Sequence, residues 1–273
     1  MAPAHLIPSP QDEVRTLRGK VAIVTGASRG LGRAFVDALV EHGAVVACLA
    51  RPSAELDELA RHHGDAVAPF PCDVSDASQI DRAVAGAVER FGRLDVLVNN
   101  AAIFHPFLVE EATAAQVEAH IGVNLFGPIW LARAAIPHLR ATKGQVVSIS
   151  SESVRMPFPF LTVYAATKAA LEVLSAGLRD ELRADGIRVT VLRSGSLKGG
   201  SGDRDWDPEV ARRFFETIQT TGHAAFTGDA VEAASMAQTL VAILGLPRDV
   251  NLDMVEARGA GILLPTSPAN GRN

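Results

Sequence analysis

The sequence predicts a single α/β domain built on a doubly wound parallel sheet of about seven strands, with helices on both faces. Short apolar runs rich in β-branched residues alternate with longer helix-like stretches through most of the chain. The apolar runs are nearly continuous, which is typical of strands covered by helices on both faces. A doubly wound domain commonly reaches 273 residues as one unit, so no second domain is expected.

Each predicted element follows from this alternation, which implies crossover connections between parallel strands. We predict strands at residues 21–25, 45–50, 66–71, 96–99, 145–150, 188–192 and 249–254. We predict helices at residues 32–42, 53–63, 78–91, 114–139, 163–184 and 208–220.

The ends of the chain and one internal segment differ from this pattern. Residues 1–16 are predicted to be an N-terminal extension, residues 17–264 the domain, and residues 265–273 a flexible tail rich in Pro, Ser, Asn and Gly. Within the domain, residues 199–225 follow the sixth strand, begin with a Gly-, Asp- and Ser-rich stretch and continue as a helix. A segment at that place is expected to be a lid over an active site.

The composition excludes several classes of protein. A net charge of −5 argues against a nucleic-acid binder, which would normally be basic. No apolar run approaches the roughly 20 residues of a membrane span, and residues 1–11 lack the pattern of a secretory signal. We therefore expect a soluble cytoplasmic protein. Cys48 and Cys72 are expected to be buried free thiols, and no cysteine or histidine spacing predicts a metal site.

A glycine-rich loop joins the first strand to the first helix. Glycines at this place permit a tight turn and let the backbone approach a pyrophosphate, which the helix N-terminus favours. A structural turn could use the same glycines, but the strand before and the helix after favour nucleotide binding. The loop residues predicted to contact a cofactor are Gly26, Ser28, Arg29, Gly30, Leu31 and Gly32.

The motifs from this loop onward resemble those of the short-chain dehydrogenase/reductase family. The loop matches T-G-x-x-x-G-x-G, Asp73 and Val74 follow the third strand, and Asn99-Asn100-Ala101-Ala102 resembles the family's N-N-A-G, with Ala102 replacing the last glycine. The resemblance covers roughly residues 17–197. It implies a Rossmann-type fold, a nicotinamide cofactor, and cofactor contacts at Asp73, Val74, Asn100 and Ala101.

The end of the second strand distinguishes NAD from NADP. An acidic residue there would bind the ribose hydroxyls and repel a 2′-phosphate, but the sequence has Ala50 and then Arg51. Together with Arg29, Arg51 could pair with a phosphate through charge-assisted hydrogen bonds. The alternative is that both arginines are solvated surface charges. NADP(H) is favoured over NAD(H).

The candidate catalytic residues begin with Tyr164 and Lys168, whose spacing puts them on one helical face. A nearby cation is expected to lower the pKa of this phenol, the only tyrosine in the chain, and make it a workable acid/base. Such a pair could also be an exposed helical face. The resemblance selects Ser151, 13 positions before Tyr164, to hold the substrate oxygen, and Asn124 to order a water beside Lys168. It implies direct hydride transfer, with Lys168 also holding the nicotinamide ribose.

The nicotinamide end departs from the family pattern. Ser194 stands where the family has a proline and Gly199 where it has a threonine, so a looser loop is expected. Ser194, Gly195 and Leu197 are predicted to contact the cofactor here. The amide could instead be held by backbone groups near Leu197 or by Ser196. The C-terminal part lacks the common Asp-Gly-Gly and resembles members with an Arg-containing extension. A homodimer or homotetramer formed through the long helices at 114–139 and 163–184 is expected, although core packing could equally explain their apolar faces.

The substrate pocket is predicted from positions near the catalytic groups: Phe104, His105, Ser153, Phe160, Trp206 and Phe214, with Glu152, Val154, Leu197 and Phe215 nearby. The aromatic content indicates a medium-sized, largely apolar alcohol or ketone, although core packing would explain most of these residues equally well. An NADP-binding regulatory or scaffold protein is the alternative function, and the intact Tyr164 and Lys168 argue against it. Sugar-nucleotide epimerases or dehydratases commonly have a larger C-terminal domain than this chain provides.

Overall fold

The computed structural model describes residues 17–199 and 206–260. Seven parallel strands form one sheet in the order β3-β2-β1-β4-β5-β6-β7. The strands are β1 Val21–Thr25, β2 Val45–Ala50, β3 Val67–Pro71, β4 Val96–Asn99, β5 Gln145–Ser151, β6 Arg188–Ser194 and β7 Met254–Ala257. The α-helices are α1 Gly30–Glu41, α2 Ala54–His63, α3 Ala77–Phe91, α4 Ala114–Ile121, α5 Gly127–Thr142, α6 Thr162–Glu181, α7 Pro208–Thr220, α8 His223–Thr227 and α9 Ala233–Gly245.

The strand order reverses at β1, which pairs with β2 on one side and β4 on the other. This arrangement confirms the predicted doubly wound, Rossmann-type fold. In such sheets the crevice beyond the carboxyl ends of the strands at the reversal point is the usual place for a ligand. A ligand site is therefore expected beyond the carboxyl end of β1.

The core consists of two apolar clusters, one on each face of the sheet. On one face Val24 packs with residues of α1 and α9, and on the other Ile23 packs with residues of α3 and α5. Neighbouring positions on the central strands are thus both buried, which explains why the strands are continuous apolar runs. The helices that cover them begin at well-formed caps, such as Ser53 for α2 and the capping box of Thr113 and Gln116 for α4.

The helix predicted at 114–139 is interrupted. It consists of α4, a π-helical turn at Gly122–Phe126 and α5. The turn brings the side chain of Asn124 against the backbone of Ile103, with which it exchanges two hydrogen bonds of 2.9 Å. A π-turn is common at functional sites because it redirects one side chain without ending the helix.

The seventh strand was predicted at 249–254, and this was wrong: β7 spans Met254–Ala257. Arg188 accounts for the difference. Its guanidinium donates hydrogen bonds to the carbonyl oxygens of Leu246, Pro247 and Val250, so the chain before Met254 is tied to the side chain of β6. Pairing with the backbone of β6 begins only at Met254. The other predicted boundaries agree with the structure within three residues.

Several other predictions concern the whole chain. The predicted extension at 1–16, the tail at 265–273 and the part of the lid at 200–205 lie outside the described residues. Within the described ranges no helix is long and apolar enough to cross a membrane, and no three side chains of metal-ligating type cluster together. Cys48 and Cys72 are both buried and free, and burial raises the pKa of their thiols to about 12 and about 11.

Candidate active site

A cavity of about 1170 Å³ runs across the carboxyl ends of the central strands. One end is formed by the glycine-rich loop after β1, the middle by the ends of β4 and β5, and the other end by helix α7. Every predicted cofactor-contacting residue lies on its wall: Gly26, Ser28, Arg29, Gly30, Leu31, Gly32, Arg51, Asp73, Val74, Asn100, Ala101, Tyr164, Lys168, Ser194, Gly195 and Leu197. Sequence and structure thus assign the same residues to one continuous cleft.

The glycine-rich loop is packed too tightly for side chains. A Cβ atom on Gly32 would lie 2.1 Å from the carbonyl oxygen of Gly26 and 2.7 Å from Nδ2 of Asn100. Thr25 ties the loop to the end of β4, because its Oγ1 accepts hydrogen bonds from the backbone N–H groups of Asn100 and Ala101 at 2.9 and 3.0 Å. Helix α1 then begins without a side-chain cap, so its first-turn N–H groups remain suited to a pyrophosphate.

The end of the cavity near β2 and β3 has two kinds of wall. Asp73 is fixed by hydrogen bonds from the backbone and hydroxyl of Ser75 at 2.9 and 2.7 Å, and with Val74 it provides a polar and an apolar surface. The exposed Arg51, which follows β2, and Arg29, in the glycine-rich loop, also line the cavity. Glu55, in the first turn of α2, lines it as well, and this carboxylate was not among the predicted site residues.

The catalytic candidates converge at the middle of the cavity. Ser151 ends β5, and Tyr164 and Lys168 lie in the first two turns of α6. The Ser151 side chain is hydrogen bonded to Tyr164, and its Oγ also accepts a hydrogen bond of 3.2 Å from the backbone N–H of Ser153. Lys168 is buried, and its Nζ donates a hydrogen bond of 2.8 Å to the carbonyl oxygen of Ile149.

The acid–base properties of this group differ from expectation. Burial raises the pKa of Tyr164 to about 12, and the hydrogen bond with Ser151 offsets only part of this effect. Burial also lowers the pKa of Lys168 to about 8. The expectation that Lys168 lowers the pKa of Tyr164 is therefore wrong for this structure, because the cost of burying a phenolate exceeds any gain from the cation. Tyr164 carries its proton at neutral pH and can donate it.

Asn124 is fully buried and holds parts of the site together rather than lining the cavity. Besides its two bonds to Ile103, its Nδ2 donates a hydrogen bond of 3.1 Å to Oγ1 of Thr167, which in turn donates one of 2.7 Å to the carbonyl oxygen of Tyr164. The side chain thus links the loop after β4 to the first turn of α6. The predicted contact with a water beside Lys168 stays a prediction.

The remaining part of the cavity is largely aromatic. Phe104 lies between Tyr164 and Trp206, with ring centroids 5.7 Å from each, and Trp206 contacts Phe214 at 5.2 Å. Ser153 also lines this part. The three predicted aromatic residues that meet here come from two separate segments, so residues 206–220 complete the wall that the loop after β4 begins.

Three of the predicted pocket positions, Phe160, His105 and Val154, do not line the cavity. Phe160 adopts a left-handed backbone conformation with φ of +67°, so its ring packs behind Phe214 at 6.4 Å. His105 packs against the buried His120 at 6.1 Å. Phe158 and Leu161 line the cavity instead, and neither was among the predicted pocket residues. The apolar run between Ser151 and Tyr164 was the available signal, but it does not tell which of its residues face inward.

The fold and this site define an NAD(P)-dependent oxidoreductase that acts on CH–OH groups. A doubly wound sheet, a glycine-rich loop and a serine, tyrosine and lysine meet in one cleft. The family described as short chain dehydrogenase matches residues 20–208, and the chain belongs to that family.

Known relatives agree with this assignment. The chain is 34% identical over 239 residues to an uncharacterized oxidoreductase of Methylorubrum extorquens, covering 86% of this chain and 88% of the relative. A short chain dehydrogenase from Burkholderia cenocepacia in complex with NADP is 30% identical, with a TM-score of 0.75 over 89% of this chain and 98% of that chain. A 3-ketoacyl-(acyl-carrier-protein) reductase from Brucella melitensis complexed with NADH is 27% identical, with a TM-score of 0.75 and the same coverage.

Proposed function

We propose that the protein is an NADP(H)-dependent reductase or dehydrogenase that interconverts an alcohol and a ketone or aldehyde of medium-sized, largely apolar character. The observation that carries the proposal is the placement of Tyr164, Ser151 and Lys168 in one cavity with the glycine-rich loop. A proton donor next to a nucleotide-sized cleft is what carbonyl reduction requires.

The cavity wall fits a nicotinamide dinucleotide. The uncapped first turn of α1 would hold the pyrophosphate, Asp73 and Val74 would contact the adenine, and Asn100 and Ala101 would line the middle of the cleft. Lys168 and the loop with Ser194, Gly195 and Leu197 would contact the nicotinamide half. When bound, the cofactor supplies or accepts a hydride.

The chain's own residues handle the proton and the substrate oxygen. Tyr164 donates its proton to the carbonyl oxygen during reduction and recovers it during oxidation. Ser151 steadies the same oxygen with its hydroxyl group, whose Oγ accepts a hydrogen bond from the backbone N–H of Ser153. The aromatic wall excludes water and contacts the apolar part of the substrate.

The preference for NADP(H) rests on the adenosine end. No carboxylate follows Ala50 at the end of β2, and the guanidinium groups of Arg29 and Arg51 line that end. The carboxylates of Glu55 and Asp73 line the same end, but only the two guanidinium groups can pair with a 2′-phosphate. Among the similar structures, one contains NADP and another contains NADH, so they do not distinguish between the two cofactors.

Arg51→Ala is expected to weaken NADPH binding by about 1.5–3 kcal/mol, roughly 10- to 150-fold, and to leave NADH binding nearly unchanged. The reason is the loss of one charge-assisted contact to the 2′-phosphate. Calorimetric titration of each variant with each cofactor measures the difference. Arg61→Ala is the matched control, because Arg61 is an exposed arginine on α2 that does not line the cavity. Equal losses for NADPH and NADH would contradict the proposed preference.

A cytoplasmic location and assembly into a homodimer or homotetramer belong to the same proposal. Light scattering of the purified protein tests the assembly. Turnover with a panel of apolar ketones distinguishes the enzyme from the regulatory or scaffold alternative, which would bind NADPH and convert none of them.

A further inference from the structure

The loop at Ser194–Gly195 and onward lacks a rigid residue of its own, yet three backbone hydrogen bonds of 2.9 Å hold it. Gly195 donates to the carbonyl oxygen of Ala257, Val231 donates to that of Ser196, and Lys198 donates to that of Val231. The loop is therefore held from outside, by the end of β7 and by the segment before α9. The residue that follows Ala257 is Arg258.

Arg258 packs against the loop at Gly195, on the side away from the cavity. A Cβ atom on Gly195 would lie 3.0 Å from Cγ and 3.2 Å from Cα of Arg258, so the arginine stem occupies the space that any larger residue at 195 would need. Arg258 itself does not line the cavity, whereas Gly195 does. Arg258 therefore supports the cavity wall at Gly195 without forming part of that wall.

The guanidinium of Arg258 also contacts two other segments, at Phe226 and at Glu152. It lies over the ring of Phe226, 4.4 Å from the centroid, and it donates a hydrogen bond to the carbonyl oxygen of Phe226. Its Nε is 3.5 Å from Oε2 of Glu152, the residue that directly follows Ser151. One side chain therefore contacts the loop, the α8 segment and the neighbour of a catalytic candidate.

Glu152 contacts both Arg258 and the α8 segment. Its carboxylate is 5% exposed, and its Oε1 accepts a hydrogen bond of 3.1 Å from Oγ1 of Thr227, beside Phe226. Within the described residues its buried Oε2 has no hydrogen-bond partner. The cation of Arg258 helps to offset the negative charge, together with Thr227 and the backbone of Ser196. Burial raises the pKa of Glu152, and the charge of Arg258 opposes this. Glu256, 3.8 Å from Arg258, is the other carboxylate facing the guanidinium.

We propose that Arg258 is a positioning residue that fixes the nicotinamide half of the cofactor site by clamping Gly195 against Glu152 and Phe226. The inference rests on the proposed function, since it assigns the loop at Gly195 to the nicotinamide. Arg258 takes over the rigidity that Ser194 does not provide. Its loss releases the nicotinamide half while the adenosine half, at the far end of the cavity, stays intact.

The test compares two ligands that share the adenosine half. Arg258→Met keeps most of the stem and removes the guanidinium. Its dissociation constant for NADPH is expected to rise about tenfold, because the wall beside the nicotinamide loosens, whereas that for 2′,5′-ADP, which has no nicotinamide, stays unchanged. The fluorescence of bound NADPH should also fall, because its nicotinamide is less confined. Arg155→Met is the matched control: Arg155 also pairs with Glu256, at 3.0 Å, and is expected to change neither ligand.

A second pair of variants separates the clamp from general damage. Glu152→Gln in the Arg258→Met background removes the unpaired buried charge, so NADPH affinity is expected to recover in part. If Arg258→Met does not fold, Arg258→Lys is measured instead, and a selective loss for NADPH over 2′,5′-ADP is again expected because lysine lacks the planar fork. Unchanged NADPH affinity, or equal weakening of both ligands, would overturn the clamp.

Failure of the proposed function gives a different result. A wild-type protein that binds NADH and ignores 2′,5′-ADP would contradict the NADP preference alone. The clamp would then be tested with NADH and ADP, and the same selective loss for the nicotinamide-bearing ligand is expected.

Discussion

Tyr164→Phe is expected to lower turnover by about 10²- to 10⁴-fold, the usual contribution of general acid–base catalysis. The substitution removes only the hydroxyl that donates the proton, and the ring that packs against Phe104 at 5.7 Å remains. NADPH binding should therefore be unchanged. Single-turnover oxidation of NADPH with a ketone substrate measures the chemical step, and titration measures binding.

The titration is the control for this variant. A loss of turnover that is accompanied by loss of NADPH binding would point to a disturbed site rather than a missing proton donor. Turnover close to that of the wild type would remove Tyr164 from the role of acid. Since Tyr164 is the only tyrosine in the chain, no other phenol could replace it.

Lys168→Met is expected to abolish most turnover and, at neutral pH, to stabilise the fold by about 2 kcal/mol. Burial lowers the pKa of Lys168 from 10.5 to about 8, which corresponds to a cost of about 3 kcal/mol for the folded ammonium. The hydrogen bond to the carbonyl oxygen of Ile149, worth about 1 kcal/mol, is lost with the amine and offsets part of the gain.

The sign of the pH dependence follows from linkage. Because the folded pKa lies below the unfolded one, the unfolded chain binds more protons between pH 8 and 10.5. The cost of Lys168 is thus fully present below about pH 8 and fades as the pH rises toward 10.5. Urea unfolding at pH 7 and pH 10 measures the gain, which should shrink at the higher pH. Lys143→Met, at an exposed lysine, is the matched control with no expected gain at either pH. A less stable Lys168→Met protein at pH 7 would contradict the argument.

The sheet and the cofactor cleft were predictable because their determinants are local in sequence. Strands such as Val45–Ala50 are continuous apolar runs, and the glycines of the loop must stand where the backbone packs closest, as the 2.1 Å approach at Gly32 requires. The carboxyl ends of parallel strands meet at one edge, so motifs that end strands come together without further information.

The features that sequence reasoning missed depend on contacts between distant segments. The π-helical turn at Gly122–Phe126 exists because Asn124 bonds to Ile103, and the late start of β7 depends on Arg188. The same holds for the pKa of Tyr164, which is set by burial rather than by its neighbour four residues away. At the substrate end, the positive φ of Phe160 turns its ring away from the cavity, and Phe158 lines the cavity instead. The spacing of apolar residues between Ser151 and Tyr164 does not predict this backbone conformation.

The two thiols give the protein a property that has nothing to do with its reaction. Cys48 lies on β2 with no exposed surface, and burial, with the charge of Asp37, raises its pKa to about 12. Thiol reagents attack the thiolate, so at neutral pH Cys48 should react only in molecules whose sheet has opened. Its labelling rate, compared with that of a short free peptide, therefore measures how often the native protein opens, without any denaturant.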